Sequence, residues 1–237
     1  MANIFHPAPE RGHVDFGWLD SHHSFSFGNW HDKEKVHFGA LRVLNDDTVK
    51  GGNGFDAPSQ ENMEIISIPL KGTLAHKNST GVEGLLSTGD VQVISAGSGI
   101  LRSEYNASHF DPVNLLQIWI FPKQLNIKPR YDQKNFDPAA RIEQWQIIVS
   151  PRPADGALWI NQDARLALAR LGAGNELSYS PAFAGNGVYL FVLEGSVEID
   201  DSKLEARDGL GITGTDSFSV HALTDAEILA IEVPMFA

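Results

Sequence analysis

The groups best equipped for chemistry in this 237-residue chain are nine histidines, a glutamate at position 64 and the triplet Arg102-Ser103-Glu104. Imidazole is the commonest transition-metal ligand and a general base near neutral pH, so His22-His23, His31, His37 and His76 are the first places to look for a metal site. Neighbours on an extended strand point to opposite faces, which sets His22 and His23 apart as joint chelators. The expected role of the imidazoles is therefore hydrogen-bonded or solvated framework. The chain has no cysteine, which removes disulfides, thiolate metal sites, iron–sulfur ligation and a cysteine nucleophile together. No Ser–His–Asp arrangement, phosphate-cradling glycine loop or dinucleotide fingerprint stands out. What remains is metal-free acid–base work by Glu64 or Glu104 in a polar cavity.

The elements that must position these groups are strands. Apolar segments are short, β-branched and aromatic, and Gly, Asp, Asn and Ser clusters separate them, as in Phe38–Leu44, Met63–Leu70, Val91–Ala96, Leu115–Phe121, Val188–Leu193 and Ala226–Val233. Leu115–Phe121 is almost continuously apolar, which predicts a strand buried on both faces. On such strands residues two apart share a face, which would set Arg102 and Glu104 side by side within reach of an ion pair.

The chain also resembles itself. Met63–Leu70, Lys71-Gly72 and Thr73–His76, followed by Gly89-Asp90 and Val91–Ala96, are matched by Val188–Leu193, Glu194-Gly195 and Ser196–Asp200, followed by Asp208-Gly209 and Leu210–Thr213. Two related β-barrels are the simplest account, with the join near Asn126–Pro138, where Lys128-Pro129-Arg130 and Asp137-Pro138 interrupt the strands. The expected division is an N-terminal barrel over residues 1–132 and a C-terminal barrel over 133–237.

Composition narrows the function classes. Eighteen Lys and Arg against 30 Asp and Glu give a formal net charge of -12, a field that repels polyphosphate backbones, so direct nucleic-acid binding is not expected. Residues 1–11 lack a secretory signal and no stretch approaches a membrane span, so a cytoplasmic location with no membrane partner is expected.

Several segments carry a specific resemblance. Arg11-Gly12-His13, Phe16-Gly17-Trp18-Leu19-Asp20-Ser21 and His23-Ser24-Phe25-Ser26-Phe27 resemble the N-terminal signature of the pirin family, and Leu41–Asp47 with Gly54-Phe55 resemble its continuation. Asn62-Met63-Glu64-Ile65, Ser95–Ile100 and Ser103-Glu104-Tyr105-Asn106 are similar to the stretches that build the family's N-terminal site, and Gln117-Ile118-Trp119-Ile120 and Pro129-Arg130-Tyr131 extend the match. The resemblance implies an all-β bicupin, two jelly-roll β-barrels packed together with short connecting helices or turns. It further implies one metal site, usually iron, in the N-terminal barrel, and either quercetin 2,3-dioxygenase activity or regulatory protein binding.

This chain departs from the family at that site. The resemblance implies three histidines and one glutamate as ligands, and the corresponding residues here are Pro58, Gln60, Arg102 and Glu104. Pro58 offers no donor atom, Gln60 offers only a neutral amide, and Arg102 cannot coordinate because its guanidinium stays protonated. With Glu64, these residues form the expected vestigial site or ligand pocket, and no metal or other cofactor is expected. The leading expectation is a non-catalytic binding or regulatory protein with a protein partner or small-molecule ligand. The alternative is a metal-dependent quercetin 2,3-dioxygenase-like oxygenase.

Overall fold

The computed structural model describes residues 1–236, the side chain of residue 57 excepted. Alternation of buried and exposed side chains organises the first half into β1 (Ala2–His6), β2 (Gly12–Asp15), β3 (Leu19–His23), β4 (Leu41–Val49), β5 (Gly54–Gln60), β6 (Glu64–Lys71), β7 (Thr73–Asn78), β8 (Glu83–Ser87), β9 (Asp90–Ser95), β10 (Ile100–Asn106), β11 (Val113–Ile120) and β12 (Arg130–Asn135). The second half supplies β13 (Gln146–Val149), β14 (Arg165–Leu171), β15 (Glu176–Tyr179), β16 (Gly187–Glu194), β17 (Val197–Ile199), β18 (Ser202–Leu204), β19 (Gly209–Thr213), β20 (Phe218–Ala222) and β21 (Ala226–Val233). Among the described residues helix is confined to three short 3-10 turns, at Ala8–Glu10, Pro138–Arg141 and Pro153–Asp155.

Each half is a large sheet facing a small one, and the two halves repeat one topology. The large sheets run β12-β9-β6-β11-β4-β3-β2 and β1-β19-β16-β21-β14-β13, and the small ones β5-β10-β7-β8 and β15-β20-β17-β18. The connection β6–β7 and its counterpart β16–β17 pass from the large sheet to the small one and turn at Gly72 (φ 83°) and Gly195 (φ 78°), positive values that glycine adopts without a Cβ penalty. The fold is thus an all-β bicupin. The expected boundary after residue 132 needs correction, because it would cut β12, which pairs with β9 through Asn135. Nor does the first segment stay at home: β1 pairs with β19 and fills, in the C-terminal sheet, the slot that β12 fills in the N-terminal one.

The central strands of the large sheets are buried on both faces. Along β11, Leu116, Ile118 and Ile120 join a core shared with Leu166, Leu168, Phe191, Leu229 and Ile231 of the C-terminal half, while Leu115, Gln117 and Trp119 turn into the N-terminal barrel. The period of two thus explains the continuous apolar run: one face serves each core. The two barrel interiors differ in kind. Eighteen buried residues, apolar or Tyr179, form the core cluster of the C-terminal barrel, and the one carboxylate buried beside them on β21, Glu232, accepts from the Tyr179 hydroxyl at 2.7 Å. The N-terminal barrel has only two small apolar clusters, around Leu74 and around Ile65, with a polar band between them.

Candidate functional site

That polar band is built by the inward-facing positions of several strands. β3 contributes Ser21 and His23, β4 Asn45 and Asp47, β6 Ser67, β7 His76 and Asn78, β9 Gln92, β10 Arg102 and Glu104, and β11 Gln117, all buried. At its centre Arg102 and Glu104, two apart on β10, are directly ion-paired through Nη1 and Oε1. Gln117 closes the arrangement: Arg102 Nη2 donates to Gln117 Oε1 at 3.0 Å, and Gln117 Nε2 donates to Glu104 Oε2 at 2.6 Å. Both carboxylate oxygens of Glu104 are therefore committed to protein donors. A buried ion pair is tolerable only when such further hydrogen bonds offset its desolvation.

Around this triangle the band divides. Ser21 Oγ donates to Asp47 Oδ1, and Asn45 Oδ1 lies 2.8 Å from His23 Nδ1. Burial pushes the Asp47 carboxyl up to about 7, with Asp46 and Glu104 adding to the rise while the Ser21 hydrogen bond and Arg102 oppose it. On the other side Tyr131 from β12 donates to Gln133, and His76 Nε2 lies 3.0 Å from the Tyr131 hydroxyl and 3.2 Å from Gln133 Oε1. Burial lowers the affinity of His23 for a proton. Among the described residues, the buried side-chain polar atoms without a partner are Ser67 Oγ, Asn78 Nδ2, Gln92 Nε2, Arg102 Nε and Glu64 Oε1. The first four sit on residues that face this interior, and all four can donate.

The structure gathers only part of the expected set. Arg102 and Glu104 meet as their spacing requires. Pro58 is exposed and Gln60 half-buried on β5, where the Gln60 amide reaches only the Pro58 carbonyl, at 3.5 Å. Glu64 is displaced entirely and has to be removed from the pocket. Its strand phase aims it with Ile66 and Ile68 toward the other barrel, where Oε2 accepts from Ser95 Oγ at 2.7 Å and from the Asn161 backbone N–H at 3.1 Å. Burial raises its carboxyl above the usual range, and those two hydrogen bonds pull the other way. Gln117 was missed as a site residue. Its place beside Arg102 depends on which strands the sheets bring together, and only the run Gln117-Ile118-Trp119, with one polar residue among apolar ones, hinted at it.

A transition metal does not fit the donors at this centre. A guanidinium occupies one ligand position as a fixed cation, both Glu104 oxygens are engaged, and Pro58 has no donor. Outside the barrel, the structure does assemble one cluster with metal-ligand chemistry among the described residues: His13, Asp20 and His22, from β2 and β3. A groove of about 770 Å³ runs between the barrels, over Ile68, Phe136, Leu168 and Leu193, with Arg141 and Glu227 at its side. Among the described residues no helix is long and apolar enough to cross a membrane.

Comparison with known proteins places this architecture. The model described as pirin matches residues 5–120, and the quercetinase C-terminal cupin domain matches residues 147–233. The quercetin 2,3-dioxygenase of Escherichia coli (strain K12) is 40% identical over 227 residues, 96% of each chain. A pirin-like protein of Caulobacter vibrioides is 37% identical over 227 residues, covering 95% of this chain and 97% of that one. The crystal structure of the bacterial pirin YhhW from Escherichia coli in complex with nickel(II) aligns with a TM-score of 0.93 at 37% identity, over 99% of this chain and 100% of that chain. Sequence and backbone agree from end to end with proteins of one kind, and the chain belongs to the pirin family.

Proposed function

We propose that this chain is a metal-free binding or regulatory member of the pirin family rather than an oxygenase. The observation that carries the reading is the closed Arg102–Glu104–Gln117 triangle. A cation fixed by two hydrogen-bonded partners occupies the centre that a dication would need, and the repulsion between them in a buried setting is severe. The four unpartnered donor groups facing the same interior favour an acceptor-rich small molecule as a ligand. Glu104 is not free to act as a base there, since both of its oxygens are taken.

The opposing reading draws on relatives named quercetin 2,3-dioxygenase and on the solved relative that holds nickel(II). The test is direct. Crystals of the native chain soaked in nickel(II) or iron(II) are expected to show no anomalous density beside Glu104, and the protein is expected to leave quercetin unconsumed with either metal added. The triple variant Pro58→His, Gln60→His, Arg102→His is expected to gain nickel(II) beside Glu104. Metal found there in the native chain, with quercetin turnover lost on chelation, would establish the oxygenase instead.

A further inference from the structure

We infer that His13, Asp20 and His22 form a surface site for a divalent late transition ion of the zinc type, clamping the edge strand β2 to β3. The sequence separates these residues, and the sheet brings them together. His13 lies directly opposite His22 in the antiparallel register of β2 and β3, and Asp20 shares a face with His22 two residues earlier on β3. The two imidazole rings stack, with centroids 4.3 Å apart and planes within 10°, so joint coordination requires one of these partly exposed rings to turn and bring its in-plane lone pair onto the ion. Both are turned to the same carboxylate: His13 Nε2 is 3.2 Å from Asp20 Oδ2, and His22 Nδ1 is 3.2 Å from Asp20 Oδ1.

These distances admit an ion as readily as a hydrogen bond: at 3.2 Å the His13 contact sits at the long end of the N–H···O range. A nitrogen and an oxygen 3.2 Å apart, each about 2.1 Å from a zinc ion, subtend an angle of roughly 100° at it; because the two nitrogens face different oxygens of Asp20, a three-ligand site requires them to converge on one of those oxygens. Two imidazoles and one carboxylate form the mixed nitrogen and oxygen set that zinc, nickel and cobalt share. The side chains are 50%, 43% and 33% exposed for His13, Asp20 and His22, which leaves a fourth position open to water. The acidic chain, at a net charge of -12, concentrates cations near its surface. At the edge of the sheet such an ion would also hold the terminal strand in place.

Titration of the full-length, chelator-stripped protein with zinc chloride in a non-coordinating buffer near neutral pH is expected to give one zinc per chain. His13→Ala and His22→Ala are each expected to weaken binding at least about tenfold, while His221→Ala, on the surface of the other barrel, leaves it unchanged. Zinc should raise the melting temperature of the native chain and not that of His22→Ala. Anomalous diffraction from zinc-soaked crystals should place the ion against His13 Nε2 and His22 Nδ1. Zinc binding that survives both substitutions unchanged, or anomalous density found only elsewhere, overturns the site. The barrel reading is tested separately, because zinc at β2 and β3 leaves the Arg102 triangle untouched and metal beside Glu104 would speak only against that triangle.

Discussion

At position 102 the difference between an imidazole and a guanidinium decides what the barrel can hold. Arg102 brings a charge that no pH in the working range removes, and Glu104 and Gln117 are arranged to answer it. The cost of a polar interior is visible one strand pair away, at Asp47. Its carboxyl is raised to about 7 by burial, whereas in the unfolded chain it titrates near about 4. Between those values the folded protein holds a proton that the unfolded chain has released, so this group makes stability fall as pH rises from about 4 to about 7 and then level off. Asp47→Asn, which cannot ionise but can still accept from Ser21, removes that loss. The variant is expected to gain on the native chain as pH increases, by at most ~4 kcal/mol above pH 7 and by little near pH 4. Urea midpoints measured across this range check it, and a difference that does not change with pH would sink the assignment. The pairing of Arg102 with Glu104 was legible in the sequence, because residues two apart on a strand share a face. The burial of Asp47 was not, because nothing in Leu41–Asp47 says which of its two faces turns inward.

The same ambiguity of phase, at the scale of an element, misplaced Glu64. On β6 a shift of one residue exchanges the barrel interior for the contact between barrels, and the structure puts Ile65 and Ser67 inside and Glu64, Ile66 and Ile68 outside. The strand itself was readable from its β-branched run, and so were its glycine turn and its echo in β16. Its orientation is fixed by neighbours distant in sequence, β11 and β9. Glu64 then acts as a pin between the halves, accepting from Ser95 on β9 and from the backbone of Asn161 in the other barrel. Glu64→Ala would strand a buried hydroxyl and a buried N–H and leave a void between the sheets. The expected loss is about 2–4 kcal/mol. Glu64→Gln keeps an acceptor in place and discards a carboxylate that burial already disfavours, so it should cost far less. Denaturant midpoints for the two variants distinguish this pin from a surface carboxylate, for which both substitutions would be nearly neutral.

For the molecule as a whole, the location of the largest core matters more than the presence of two barrels. The shared core takes one face from each large sheet, and β1 leaves its own half to complete the other sheet, where His6 Nδ1 lies 2.8 Å from the Tyr189 hydroxyl and the Ala8 N–H donates to Asp208 at 2.6 Å. Separating the halves would expose that core and strip an edge from β19, so neither half has an independent route to stability. The bicupin is therefore expected to melt as one unit. Ile118, fully buried in the shared core, and Val220, fully buried inside the C-terminal barrel, provide the comparison. Ile118→Ala should cost about 2–5 kcal/mol and Val220→Ala somewhat less, since fewer methylene groups are lost. Calorimetry should show each substitution lowering a single transition whose measured and van't Hoff enthalpies agree. Two transitions, with Ile118→Ala moving only one, would mean that the barrels are autonomous and that the shared core is mere contact. Cooperative melting would explain how a polar interior in one barrel and a predominantly apolar one in the other belong together: the second barrel supplies the wall against which the polar one is held.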